Sequence, residues 1–243
     1  MIDTKMKYQA SIFGDVSDIK PTPDNTKTLI DLFSDKRFIP NSFQELGASG
    51  VKIRLSFMSL NQEWIVTFPS NRIDIERHAI EPQGKNLGEL SDFCSEVSNL
   101  FERVTKEFKK KANRIALVTN FLLEEMTEET LSNVYLKLFH PPKFYEENPP
   151  FEWNWRTVSR KPIDLDGRNE TLNVITTINR VQGELPMRNE TQLFDRVQLS
   201  FDINTTPENK EYRFEPQHIA TFYNHALELH NNLLAEVREF ING

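Results

Sequence analysis

Leu90, Phe93, Val97, Leu100, Val104 and Phe108 recur at spacings of three and four. That lays one apolar stripe along a helix over residues 87–111. Ile219, Phe222, Ala226, Leu229, Leu233, Val237 and Phe240 repeat the pattern and predict a second long helix over 216–241. A striped helix must bury its stripe against something. Ahead of each helix lie three segments that alternate as strands do. Ahead of the first they are residues 51–60, with Val51, Ile53, Leu55 and Phe57 on one face, then 64–68 and 70–79. Ahead of the second they are 151–163, 170–183 and 192–204.

Each triplet is itself preceded by a strand and a short helix: 8–14 with 24–33, and 115–123 with 127–139. Pro23 and Asp24 suit the start of one short helix, and Pro141-Pro142 stops the other. Gly47 and Gly50 read as a break, 143–150 as a loop, and Pro207 as the close of the last triplet. The order β-α-β-β-β-α is therefore used twice, over halves 1–112 and 113–243 of one compact unit. The halves share element order, not residue identity. Strands joined by short connections form antiparallel meanders. The expected class is α+β, each antiparallel sheet covered by a long amphipathic helix, two-lobed or saddle-like. The order resembles the TATA-binding-protein saddle, an analogy of fold that carries no function.

With 243 residues, 38% of them hydrophobic and 18 Phe, the chain can bury a sizeable core. The formal net charge of −7 argues against a duplex-DNA coat. No apolar run is long enough to span a bilayer, and the start MIDTKMKYQASIFGD has no apolar signal core. A single cysteine, Cys94, excludes an intrachain disulfide framework and a thiolate zinc cluster. A reducing, cytoplasmic setting is expected. Asn169, Asn189 and Asn204 open N-x-Thr sequons, which read as turn or strand-end residues.

The stretch SNRIDIERHA (70–79) is the closest thing to chemistry. Asp74, Glu76 and His78 alternate on one strand face. The outer pair stands about 13 Å apart, too far for all three to reach one ion. With Arg72 and Arg77 nearby, a solvated face with ion pairs is the simpler reading. FEWNWRTVSRK (151–161) is the better binding candidate: Phe151, Trp153 and Trp155 share one parity, and Arg156, Arg160 and Lys161 interleave. Such a strand can stack bases, meet a partner, or fill the core under a helix. His218, His225 and His230 lack the spacing of a helical zinc pair and read as surface or half-buried. No nucleotide loop or nucleophile elbow occurs, so no cofactor or metal is called for. Cys94 reads as a packed side chain. Lys109, Lys110 and Lys111 read as a solvated helix end. Arg168-Asn-Glu-Thr and Arg188-Asn-Glu-Thr read as similar hairpin turns.

The stretch KRFIPNSFQELGASG, the strands ending in RIDIERH and the long helix together resemble a sporadically distributed group of bacterial proteins of this length and unassigned function. Ile39-Pro40 and Gln44-Glu45 carry the likeness. It implies an intracellular bacterial protein, carried beside defence or mobile-element genes, and supplies no catalytic residues. The expected function is a non-enzymatic sensor, adaptor or regulatory subunit that binds another protein or itself through an apolar patch around residues 144–155. Two alternatives stay open. One is a metal-assisted hydrolase or nuclease using Asp74 and Glu76, with His78. The other is a single-strand nucleic-acid binder using Trp153, Trp155, Arg156 and Arg160.

Overall fold

Alternation decides the sheet, as β1 (Ile2–Phe13) makes plain: Tyr8, Ala10 and Ile12 are buried on one side, and Lys7, Gln9 and Ser11 point to the other. The computed structural model describes residues 2–48, 50–81, 86–186 and 191–242. After β1 come α1 (Pro23–Leu32), β2 (Ile39–Gly47), β3 (Gly50–Met58), β4 (Trp64–Thr67), β5 (Arg72–His78) and α2 (Leu90–Glu107). Then follow β6 (Arg114–Leu123), α3 (Glu128–Phe139), α4 (Lys143–Glu147), β7 (Asn154–Leu165), β8 (Arg168–Pro186), β9 (Thr191–Thr205) and α5 (Pro216–Asn242).

All nine strands join one sheet in the order β2-β3-β4-β5-β1-β6-β9-β8-β7, with every neighbouring pair antiparallel. The class is α+β, and one sheet runs through both halves of the chain. Two elements were not expected. The sequence assigns no element to residues 39–47 and a break to Gly47 and Gly50, yet 39–47 form β2. Gly47 and Gly50 instead bracket a tight hairpin, where Gly50 sits at φ +103°. Residues 143–150 were read as loop and contain the short α4. The second Arg-Asn-Glu-Thr string, with Asn189, lies largely outside the described residues. In the first, the turn itself is Asp166-Gly167, and Arg168 already begins β8.

The helices α1, α2 and α5 pack on the sheet face that carries Tyr8. Tyr8 meets Phe93 of α2 at 5.5 Å between ring centroids, Phe57 of β3 meets Phe33 of α1 at 5.4 Å, and Phe201 of β9 meets His230 of α5 at 5.2 Å. The two long helices touch each other through stacked Phe101 and Tyr223. The Tyr223 hydroxyl donates to the carbonyls of Ala116 and Ser11, tying α5 to the two central strands. Helix starts follow the capping rule: Thr22 accepts from Asn25 N at 3.3 Å, and Thr127 from Thr130 N at 3.2 Å. Helix α2 ends at Glu107, so the three lysines follow it rather than sit in its last turn. Lys110 pairs with Asp18 and Lys111 with Glu215. Among the described residues, no helix is long and apolar enough to cross a membrane.

Candidate functional site

The Asp74 face resolves into structure. Asp74 is 4% exposed, so it is buried rather than solvated. One carboxylate oxygen accepts from Ser11 Oγ at 2.6 Å and the other from Arg72 Nε at 2.6 Å. Across the ladder its neighbours are Thr67 and Ser11; those of Glu76 are Ile65 and Gln9. Lys7 stands opposite His78. On its other side the His78 N–H donates to the carbonyl of Glu63 at 2.9 Å, so an acidic residue lies across from that end of the strand. Among the described residues, no group of three or more His, Cys, Asp or Glu is arranged to hold a metal.

The aromatic strand divides as well. Trp153 precedes β7 and is buried against Tyr135 and Phe139 of α3. Trp155 packs half-buried on the core. Alternation then sends Arg156 and Arg160 to the opposite face of β7, and Arg160 is paired to Glu208. Of the readings open for this strand, core filling fits the tryptophans, while Arg156 and Arg160 are exposed on the opposite face. Phe151 alone of the three rings stays out, 71% exposed. His230 is likewise not a surface residue. It is buried, Phe121 and Phe201 pack against its ring, and its Nε2 has no hydrogen-bond partner among the described residues. Burial pushes its pKa down to about 4. His218 Nδ1 accepts from Glu215 N where α5 begins. Cys94 is buried, and burial raises its thiol to about 12, so it holds no thiolate at neutral pH.

What remains outside is an aromatic projection between α3 and β7. His140 ends α3 in the left-handed region, at φ 43°, and Pro141-Pro142 throws the chain outward. One turn of helix, α4, then presents Phe144 and Tyr145. Phe144 is 67% exposed, and its ring meets that of Tyr145 edge-on at 5.2 Å. Asn148 Nδ2 donates to the Phe144 carbonyl and closes the turn. Pro149-Pro150 follows and delivers Phe151. Prolines on both sides restrict the backbone and reduce the entropy that a contact would cost. Burying Trp153 under α3 anchors the far end of the segment.

Beside Phe151 lies a hollow of about 410 Å3 lined by Glu152, Asn179, Arg180, Val181 and Gln182. Its floor is fixed by charge. The buried Arg180 guanidinium donates to Asp195 and to Glu128, and Asp195 also accepts from Gln182. The Arg180 hydrogen bond holds the Asp195 carboxyl below its usual range, while Arg180 is held protonated. These groups are mutually satisfied, so the hollow offers shape and a rigid wall rather than a reactive pair. A second hollow, of about 370 Å3, lies among Phe38, Trp64, Arg77, Asp92 and Phe93. Two of its rim carboxylates are engaged, Glu96 by Lys36 and Asp35 by Arg103. Phe93 stacks on the Trp64 ring, and Arg77 lies over it.

No protein-family model matches this chain, and no curated protein matches it.

Proposed function

We propose that this chain works by binding another protein, as a sensor, adaptor or regulatory subunit with no reaction of its own. The observation that carries the reading is the exposure of Phe144, Tyr145 and Phe151 on one short proline-bounded segment. Large rings left in water on a stiff support are the residues that dominate the energy of protein interfaces. The hollow at Phe151 gives the partner a recess to fill. The frame behind it reads as two related units, 1–112 and 113–243, with β1 and β6 side by side at the centre. From that centre β5, β4, β3 and β2 run outward on one side, and β9, β8 and β7 on the other, as a saddle would require. The likeness of the Ile39-Pro40 and Gln44-Glu45 segment to a bacterial group fits an intracellular bacterial role beside defence or mobile-element genes.

The test is purification of tagged protein from its own host, in parallel with the double variant Phe144→Ser, Phe151→Ser. A protein that copurifies stoichiometrically with the parent should fall at least about tenfold with the variant, the loss of about 1.4 kcal/mol or more of contact energy. The melting temperature should not change, because neither ring is in the core. Equal recovery of the same protein with both forms would set the projection aside as the binding surface.

A further inference from the structure

The two edges of the sheet are built differently. Strand β7 carries Arg156, Arg160, Lys161 and Asp164, and Pro162 interrupts its donors. Charge and proline are how sheet edges avoid pairing with other chains. Strand β2, IPNSFQELG, has one charged residue in nine, Glu45. That carboxylate is turned inward and accepts from Ser70 N at 2.9 Å and from Ser70 Oγ, so it does not guard the edge. Pro40 lacks a donor, and the Ser42 N–H is held by the neighbouring Asn41 Oδ1 at 2.8 Å, which leaves Gln44 and Leu46 as the open outward donors. Seven of the nine residues are exposed, and the outer edge pairs with no other strand of the sheet. The hairpin that β2 makes with β3 also leaves apolar side chains uncovered on the helix-bearing face: Leu46, 82% exposed, with Val51 opposite it and Ile53 beyond.

We propose that β2 pairs with β2 of a second copy, antiparallel about a twofold axis at Phe43, joining two nine-stranded sheets into one. The ladder of this chain sets what each row would hold. Phe43 faces Phe43 of the other copy, with Arg54 outside each ring. Glu45, already opposite Lys52, comes beside Asn41, so no like charges meet. On the helix-bearing face, Val51 and Leu46 continue into Pro40 and Phe57 of the other copy. The exposed apolar pair is thereby extended into an apolar row. A second copy meets the open donors of Gln44 and Leu46, takes the place of the Asn41 side chain at Ser42 N, and matches charge and apolar surface, and the twofold closes the contact so that no filament forms.

Mass measurement in solution up to about 100 μM tests the association. The parent chain should run at twice 28.4 kDa. Ser42→Lys with Gln44→Lys places lysines opposite each other across the axis, and Ser42→Glu with Gln44→Glu places glutamates there. Each double variant should run as a monomer, and an equimolar mixture should regain the doubled mass. Register is read by oxidation. Opposite residues lie ~4.5–5.5 Å apart at Cα, within disulfide reach, so Phe43→Cys should link two chains. Leu46→Cys should not, because its copies are staggered by about 20 Å. A monomeric parent, lysine variants that still pair, or linking through Leu46→Cys but not Phe43→Cys would each overturn the proposal. A partner protein held at Phe144 and Phe151 is read separately, since the Phe144→Ser, Phe151→Ser variant leaves β2 unaltered and should keep the doubled mass.

Discussion

On the face of β6 and β9 that meets α5, His230 takes its place against the rings of Phe121 and Phe201 with one nitrogen unpartnered among the described residues. Its folded-state pKa, about 4, lies below the ordinary histidine value of 6.5. As pH falls, the unfolded chain therefore takes up the proton first. This residue's contribution to stability is intact above pH 6.5, declines between 6.5 and about 4, and is flat below. The loss amounts to roughly 3 kcal/mol. His230→Phe keeps a ring in the cage and removes the titration, so urea unfolding at pH 7 and pH 4 should show the parent losing about that much more than the variant. An equal loss in both would mean the imidazole is not held neutral. Arg213 and Glu170 make the complementary case. Their side chains are almost wholly buried and joined by two hydrogen bonds, 2.6 and 3.0 Å. Glu170→Ala removes the buried countercharge and leaves the guanidinium to the carbonyls of Asn113, Asn209 and Glu211, and the unfolding midpoint should fall by the equivalent of about 3–5 kcal/mol. A change below about 1 kcal/mol would show that water reaches the site.

At the scale of elements, the sequence was informative wherever a face was buried. The stripe from Leu90 to Val104 and that from Ile219 to Val237 are legible because their side chains pack in or against the core, and α2 and α5 form there; Phe240 carries the second pattern on into solvent. The alternation of Ile73 and Ile75 placed β5 for the same reason. Strand β2 was missed because both its faces are largely exposed, so IPNSFQELG carries no apolar alternation; its pairing to β3 holds it instead. Phe151, Trp153 and Trp155 have the parity of one strand face, but β7 begins only at Asn154. Trp153 therefore lies before the strand and turns under α3, a tertiary contact that local spacing does not encode. His230 has the chemistry of a surface residue, and only the packing of α5 on β6 and β9 buries it. The exposed ring at Phe144 was legible in part, because the proline pairs at 141–142 and 149–150 mark a segment that cannot join the sheet, whereas Phe151 has the parity of the strand expected over 151–163.

For the whole molecule, the helices α1, α2 and α5 cover one face of a single sheet, and this divides the labour. The covered face carries the core. Groups that resembled chemistry on the other face, Asp74 foremost, are tied to neighbours within the sheet. In the reading proposed above, contact with other molecules falls to the ends of the sheet, where Phe144, Tyr145 and Phe151 are exposed ahead of β7 and where β2 forms the opposite edge. The most direct test of that division is photo-crosslinking inside the native host, with a photoreactive residue placed in turn at 144, at 151 and, as the comparison, at Val118 on the open sheet face. The account predicts one discrete protein adduct from 144 and 151 and none from 118. An adduct from 118 with none from the projection would contradict it and move the working surface to the sheet itself.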